Sequence, residues 1–63
     1  MKIGDQYILK NYRIGEVNLI MTVNIESLFT NINSKKKMVI SGYKGLTQTM
    51  TVYKFNQNYE VLQ

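Results

Sequence analysis

The amino-acid sequence predicts a small all-β domain of about five antiparallel strands, either barrel-like or folded as a curled meander. Two observations lead to this class. Apolar and polar residues alternate in the middle of the chain, and turn-forming residues recur roughly every ten residues. The 63 residues contain no linker, internal repeat or low-complexity tract. Residues 1–63 are therefore expected to form a single domain.

The clearest strand is predicted over Val17–Ile25. Every second residue of this segment is apolar: Val17, Leu19, Met21, Val23 and Ile25. The residues between them are mostly polar, so the segment follows a two-residue period throughout. This pattern is typical of a strand with one buried face.

The remaining strands are predicted from residue type. A first strand runs over Tyr7–Ile14, and Gly15 supplies the turn that follows it. Later strands are expected around Met38–Ile40, over Leu46–Phe55 and over Tyr59–Leu62. All are rich in the β-branched and aromatic residues that suit a pleated, half-buried surface.

Two tight connections are predicted between the later strands. A type I turn over Tyr43 and Lys44, followed by Gly45 in the left-handed region, makes a three-residue hairpin loop. Asn56–Asn58 is a second three-residue candidate, because Asn tolerates a positive φ.

Residues 25–33 admit two interpretations. Apolar residues at Ile25, Leu28, Phe29 and Ile32 have the i, i+3, i+4, i+7 spacing of a helical stripe. The residue types are mediocre helix formers, which favours a continued strand. A short helix near residues 25–33 and an irregular or strand continuation are both left open.

The chain ends are compatible with an SH3-like barrel. Ile3–Tyr7 precedes the first predicted strand, and the chain closes on Tyr59–Leu62. An OB-like barrel is the other small closed β architecture considered. The resemblance concerns architecture alone and carries no function.

Residue types that are absent exclude much catalytic chemistry. The chain has no His, Cys, Trp, Pro or Ala. Without Cys there is no disulfide, and without Cys or His there is no thiolate or imidazole metal site. Nucleophiles activated by His, and any Cys nucleophile, are excluded as well. We therefore expect a protein that is not an enzyme and that uses no metal or cofactor.

The size of the chain favours self-association. Burial of apolar surface contributes on the order of 98 kcal/mol, while ordering the residues costs about 95 kcal/mol. These terms cancel. Small domains commonly gain further stability from a disulfide, a metal site or a second subunit. Because this chain can have neither a disulfide nor a thiolate or imidazole metal site, we expect a homo-oligomer.

A basic cluster suggests nucleic-acid binding as one function. The formal net charge is +4, and the candidate residues are Lys35, Lys36, Lys37, Tyr43 and Lys44. Lysines neutralise phosphates, and an exposed Tyr can stack on a base. Three consecutive lysines are fewer than the usual basic run, and they also suit a solvated loop beside a protected edge strand.

The first hypothesis is instead a protein-binding module. Five tyrosines are candidate interface residues: Tyr7, Tyr12, Tyr43, Tyr53 and Tyr59. Tyr is enriched at protein interfaces because it combines a large apolar area with a hydroxyl. A small regulator or inhibitor that acts on a host protein fits these observations.

Composition also suggests source and compartment. Ile, Lys and Asn occur seven times each while Ala is absent, a bias that an AT-rich genome produces. A bacterium of low GC content or one of its phages fits this bias, and for a small regulator a phage or other mobile element is the expected source. No run approaches the roughly 18 apolar residues of a membrane span, and Lys2 and Asp5 precede any apolar stretch of a signal peptide. A cytoplasmic protein without membrane association is the expectation.

Overall fold

The computed structural model describes residues 1–10 and 22–62, and these form a mostly β domain of five antiparallel strands and one short helix. The predicted fold class is confirmed. The elements are β1 (Gln6–Leu9), β2 (Thr22–Thr30), β3 (Lys37–Tyr43), β4 (Leu46–Thr51), α1 (Val52–Asn58) and β5 (Tyr59–Val61).

The strands form one sheet in the order β4-β3-β2-β1-β5. Strands β2, β3 and β4 follow each other as a meander, and β5 returns across the molecule to pair with the outer side of β1. In the described part of the chain no ladder joins β4 to β5. The sheet is therefore an open, curled meander and not a closed barrel.

The core lies on one face of this curled sheet. Register places Tyr7 opposite Val23 and Leu28 opposite Val39, so these side chains share the inner face. Phe55, from α1, is fully buried against them. Helix α1 thus covers the inner face at the point where the chain passes from β4 to β5.

Residues 25–33 contain a strand and a turn, not a helix. Strand β2 continues to Thr30 and carries a register shift between Ile25 and Ser27. One extra residue at a β-bulge moves the following side chains to the other face. Ile25 and Leu28 consequently both point inward although they are three residues apart, and this bulge produced the apparent helical spacing. Ile32, the last member of that stripe, is exposed in the turn.

The helix of this domain lies where a strand was predicted. The predicted strand Leu46–Phe55 is correct only as far as Thr51, and α1 begins at the next residue, Val52. Thr51 is the N-cap, and its Oγ1 accepts a hydrogen bond from the backbone N–H of Lys54 at 3.1 Å. This cap and the burial of Phe55 stabilise a helix that residue propensity alone does not favour.

The predicted turn at Asn56–Asn58 is also wrong, because these residues form the last turn of α1. The side-chain amide of Asn58 donates to the carbonyl oxygen of Lys54 at 2.9 Å. Tyr59 ends the helix in an extended conformation and starts β5 directly. The helix therefore replaces the loop expected between the last two strands.

The hairpin between β3 and β4 was correctly placed but has a tighter turn than predicted. Tyr43 pairs with Leu46, which leaves a loop of only Lys44 and Gly45. Both have positive φ, 48° and 83° respectively. Two consecutive positive values are those of a type I′ turn, whose twist matches that of the flanking strands.

Parts of two predicted strands lie outside the described residues. The strand predicted over Tyr7–Ile14 is described to Lys10, and its described part forms β1. The strand predicted over Val17–Ile25 is described from Thr22, and that part belongs to β2. Among the residues with described positions, no helix has both the length and the apolar character needed to cross a bilayer.

Candidate functional site

One end of the sheet carries a groove at which three strands and the helix meet. Register pairs Thr30 with Lys37 and Met38 with Thr51. The end of β2, the start of β3 and the end of β4 therefore meet at the same end of the sheet. Val52 and Tyr53, the first residues of α1, follow directly at this end.

The groove at this end has a volume of about 540 Å³ and is here called the Tyr53 groove. It is lined by Lys36, Lys37, Thr51, Val52 and Tyr53. The side chain of Tyr53 is 74% exposed, and that of Val52 is partly buried against the core. An exposed aromatic ring, an apolar floor and two lysines therefore face one opening.

A second groove of about 390 Å³, here called the Met1 groove, adjoins the first. Its lining residues are Met1, Leu28, Phe29, Thr30, Lys37, Met38 and Val52. Lys37 and Val52 line both grooves, and the two grooves together are here called the depression. Met1 and Phe29 are 40% and 42% exposed, so both offer apolar surface to the opening.

The lysines are presented by a loop with its own hydrogen bonds. The Oδ1 atom of Asn31 accepts from the backbone N–H groups of Asn33 and Ser34 at 2.9 and 3.0 Å. The backbone N–H of Asn31 donates to the carbonyl oxygen of Lys36 at 2.8 Å. Lys35 has a positive φ of 59°. This Asn-based turn defines the path of the backbone that leads Lys36 and Lys37 to the groove.

The charge of the depression is positive. Of the described residues that line the two grooves, none is acidic, while Lys36 and Lys37 are both present. The lysine stems add apolar surface and their ammonium groups reach the solvent. The site can therefore hold an apolar side chain and attract negative charge at its rim.

The lysines and the aromatic residue predicted as one nucleic-acid patch do not lie together. Lys35–Lys37 precede or begin β3, whereas Tyr43 and Lys44 stand at its other end. Six residue steps along a strand separate Lys37 from Tyr43 by about 20 Å. The Lys44 ammonium also lies 5.4 Å from the centre of the Tyr43 ring, so it covers one face of that ring.

The five tyrosines differ in their surroundings. Tyr7 is buried in the core, Tyr43 and Tyr59 are half-buried, and Tyr53 is exposed. Tyr12 lies outside the described residues. Of the four tyrosines with described positions, Tyr53 offers the most free surface to a partner.

Sequence reasoning had named Tyr53 among the interface candidates but did not place it beside the lysines. It missed Met1, Phe29 and Val52 altogether as surface residues. Their meeting depends on strand register, which has no local signal in the sequence, and on α1 starting at Val52. The start of the helix has local signals in the Thr51 cap and in the helical spacing of the apolar residues that follow it.

A smaller cleft of about 210 Å³ lies on the inner side of the sheet, between β4 and β5. Gln48 Nε2 donates to Tyr59 Oη across it at 2.9 Å. Ser41 lines this cleft, and its Oγ is buried without a hydrogen-bond partner among the described residues. A hydroxyl left in this state lowers stability.

Groups of acidic residues suited to a metal ion do not occur in the described ranges.

Comparisons with protein-family models, with curated proteins and with solved structures found no match for this chain. Function has to be inferred from the residues and their geometry.

Proposed function

We propose that this chain is a non-enzymatic protein-binding module that uses the Tyr53 groove as its contact site. The observation that carries the proposal is the position of Tyr53, exposed at the start of α1 and beside an apolar floor. Tyr is enriched among residues that dominate the energy of protein interfaces. An exposed Tyr next to a groove is well placed to act as such an anchor.

The partner is a protein segment that presents an apolar side chain flanked by carboxylates. The apolar side chain would contact Val52 and the Tyr53 ring, and the carboxylates would approach Lys36 and Lys37. Opposite charges at a rim speed association and select among partners. The role is that of a small regulator or inhibitor that acts on a host protein, with the source and compartment expected from composition.

The test is a selection of random peptides displayed on a library, using the wild-type chain as bait. Selected peptides should carry Asp or Glu on either side of a bulky apolar residue. Tyr53→Ala should weaken their binding by roughly 30-fold, which corresponds to about 2 kcal/mol. Leu46→Ala is the matched control, because Leu46 is 75% exposed but lies at the other end of β4.

Peptides that bind wild type and Tyr53→Ala equally would refute the proposal. So would a failure to enrich any acidic sequence. Reversal of charge in Lys36→Glu should reduce binding of the selected peptides and weaken its dependence on salt.

Nucleic-acid binding is the second candidate, and one observation favours it. Lys36 and Lys37 line the same groove as the exposed Tyr53 ring, a combination that can hold a phosphate backbone and stack one base. Anisotropy of labelled single- and double-stranded oligonucleotides should be measured at low and near-physiological salt. Micromolar binding that falls steeply with salt, and that Lys36→Glu abolishes, would favour this candidate over the peptide site.

A further inference from the structure

Among the described residues, strand β4 is the longer of the two edges of the sheet. Among the described residues it pairs only with β3, and its other side carries no partner. The opposite edge, β5, has three residues and includes the charged Glu60. A free edge exposes a row of backbone N–H and C=O groups that can pair with another strand. Of the two edges, β4 offers the longer row.

The features that usually protect an edge strand are missing from β4. Its sequence, Leu46–Thr51, contains no charged residue, no Gly and no Pro. Residues 46–49 are exposed. Natural proteins commonly block such edges with Lys, Pro, a bulge or a very short strand. The six residues of β4 thus carry nothing in their own sequence that blocks pairing with another strand.

The tight hairpin determines which backbone groups of β4 face outward. In a two-residue loop the flanking residues, here Tyr43 and Leu46, exchange backbone hydrogen bonds. Every second residue of β4, starting with Leu46, then forms backbone hydrogen bonds to β3. The N–H and C=O groups of Thr47, Thr49 and Thr51 consequently point away from β3, toward the free edge.

We propose that β4 pairs antiparallel with β4 of a second copy of this chain, about a two-fold axis at Thr49. Thr49 then lies opposite its own equivalent, and Thr47 lies opposite Thr51. Cross-strand threonine pairs of this kind stabilise sheets. The register also keeps the inner faces of both copies on the same side, so the two five-stranded sheets continue into each other.

A second copy fits this edge better than a foreign strand because β4 complements itself. The pairing that centres on Thr49 places Gln48 opposite Met50 and brings no two charges together. The outward groups that form the ladder belong to the same three residues in both copies. The self-association expected from the small core thereby has a defined surface, which shares Thr51 with the Tyr53 groove.

The ladder is short. The carbonyl group of Thr51 already accepts the first hydrogen bond of α1, as the carbonyl of an N-cap residue does. About four backbone hydrogen bonds therefore remain between the two copies. An interface of this size belongs to the weak class, so dimerisation should depend on protein concentration.

The experiment is sedimentation of the full chain from about 10 µM to about 1 mM, a range that suits a weak interface. Wild type should shift from 7.4 kDa to twice that mass. Thr49→Pro removes the outward N–H without affecting the bonds to β3, and it should remain folded and monomeric. Thr49→Lys should do the same by placing like charges opposite each other, and Thr49→Val should still dimerise.

Amide hydrogen exchange provides the second measurement and identifies the edge. In the wild-type dimer the backbone N–H groups of Thr49 and Thr51 should be protected from exchange. In the monomeric Thr49→Lys variant the backbone N–H of Thr51 should exchange rapidly. A wild-type chain that stays monomeric throughout would overturn the proposal. A dimer that survives Thr49→Lys, or masses above the dimer from pairing of β4 with β5, would overturn it as well. Peptides that bind Tyr53→Ala as tightly as wild type would refute the peptide site without changing the sedimentation result, so the two proposals fail separately.

Discussion

The ring of Phe55 lies parallel to the ring of Tyr59, with centroids 4.6 Å apart and an angle of 9° between the planes. Tyr7 meets Phe55 edge-on at 5.1 Å. This aromatic cluster joins α1 to β5 and to β1. Because few of the residues with described positions are fully buried, the cluster makes up a large part of the described core.

Substitutions at Tyr59 separate the contribution of the ring from that of the hydroxyl. Tyr59→Phe keeps the stacking on Phe55 and loses only the exposed hydrogen bond from Gln48, so it should cost less than about 1 kcal/mol. Tyr59→Ala also loses the stacking and should cost about 2 kcal/mol. Urea unfolding measures both. Equal losses in the two variants would show that the stacking contributes nothing.

Ser41→Ala should stabilise the domain. The buried hydroxyl of Ser41 has no partner in the described part of the chain, and its removal ends an uncompensated desolvation cost of about 1 kcal/mol. The melting temperature should rise by about 4–8 °C for a domain of this size. Ser27→Ala, at a half-buried position on the same sheet, is the control and should change little. A lower melting temperature for Ser41→Ala would mean that the hydroxyl is hydrogen-bonded in solution.

Lys44→Asn should strengthen the β3–β4 hairpin. Lys44 has a φ of 48° and precedes Gly45, and Asn-Gly is the preferred pair in a type I′ turn. The gain should be about 0.5 kcal/mol, because Asn adopts the left-handed region more readily than Lys. Lys44→Ala is the comparison variant, since it also loses the contact with the Tyr43 ring but gains no turn preference. Equal unfolding free energies for the two variants would argue against the turn assignment.

The fold class was predictable because apolar and polar residues alternate along a strand that has one buried face. Val23 and Ile25 of β2, buried on either side of the exposed Asn24, are an example. The helix was misplaced for two physical reasons. The bulge after Ile25 imitates a helical period, and the spacing of Val52, Phe55 and Tyr59 suits a helix while their types suit a strand.

The candidate site was less predictable than the fold. Lys36, Lys37 and Tyr53 were each recognised as surface candidates, but as members of different sets. Only the pairing of Met38 with Thr51 brings these residues to one end of the sheet. Register of this kind is decided by packing across the whole sheet, which a single sequence does not display locally.

A variant at Tyr53 tests whether the groove matters to stability. Tyr53 is exposed, so Tyr53→Ala should change the free energy of unfolding by less than about 0.5 kcal/mol. Urea unfolding of this variant beside Tyr59→Ala checks the contrast. A large loss would make Tyr53 a structural residue and remove its use as a binding variant.

The most direct test of the proposed function is an NMR titration of the isotopically labelled chain with an acidic peptide obtained from the library selection. The account predicts that the amide signals of Lys36, Lys37, Val52 and Tyr53 shift together and saturate with one affinity. Signals that move instead around Ser41 in the inner cleft, or along Tyr43 and Lys44, would contradict it.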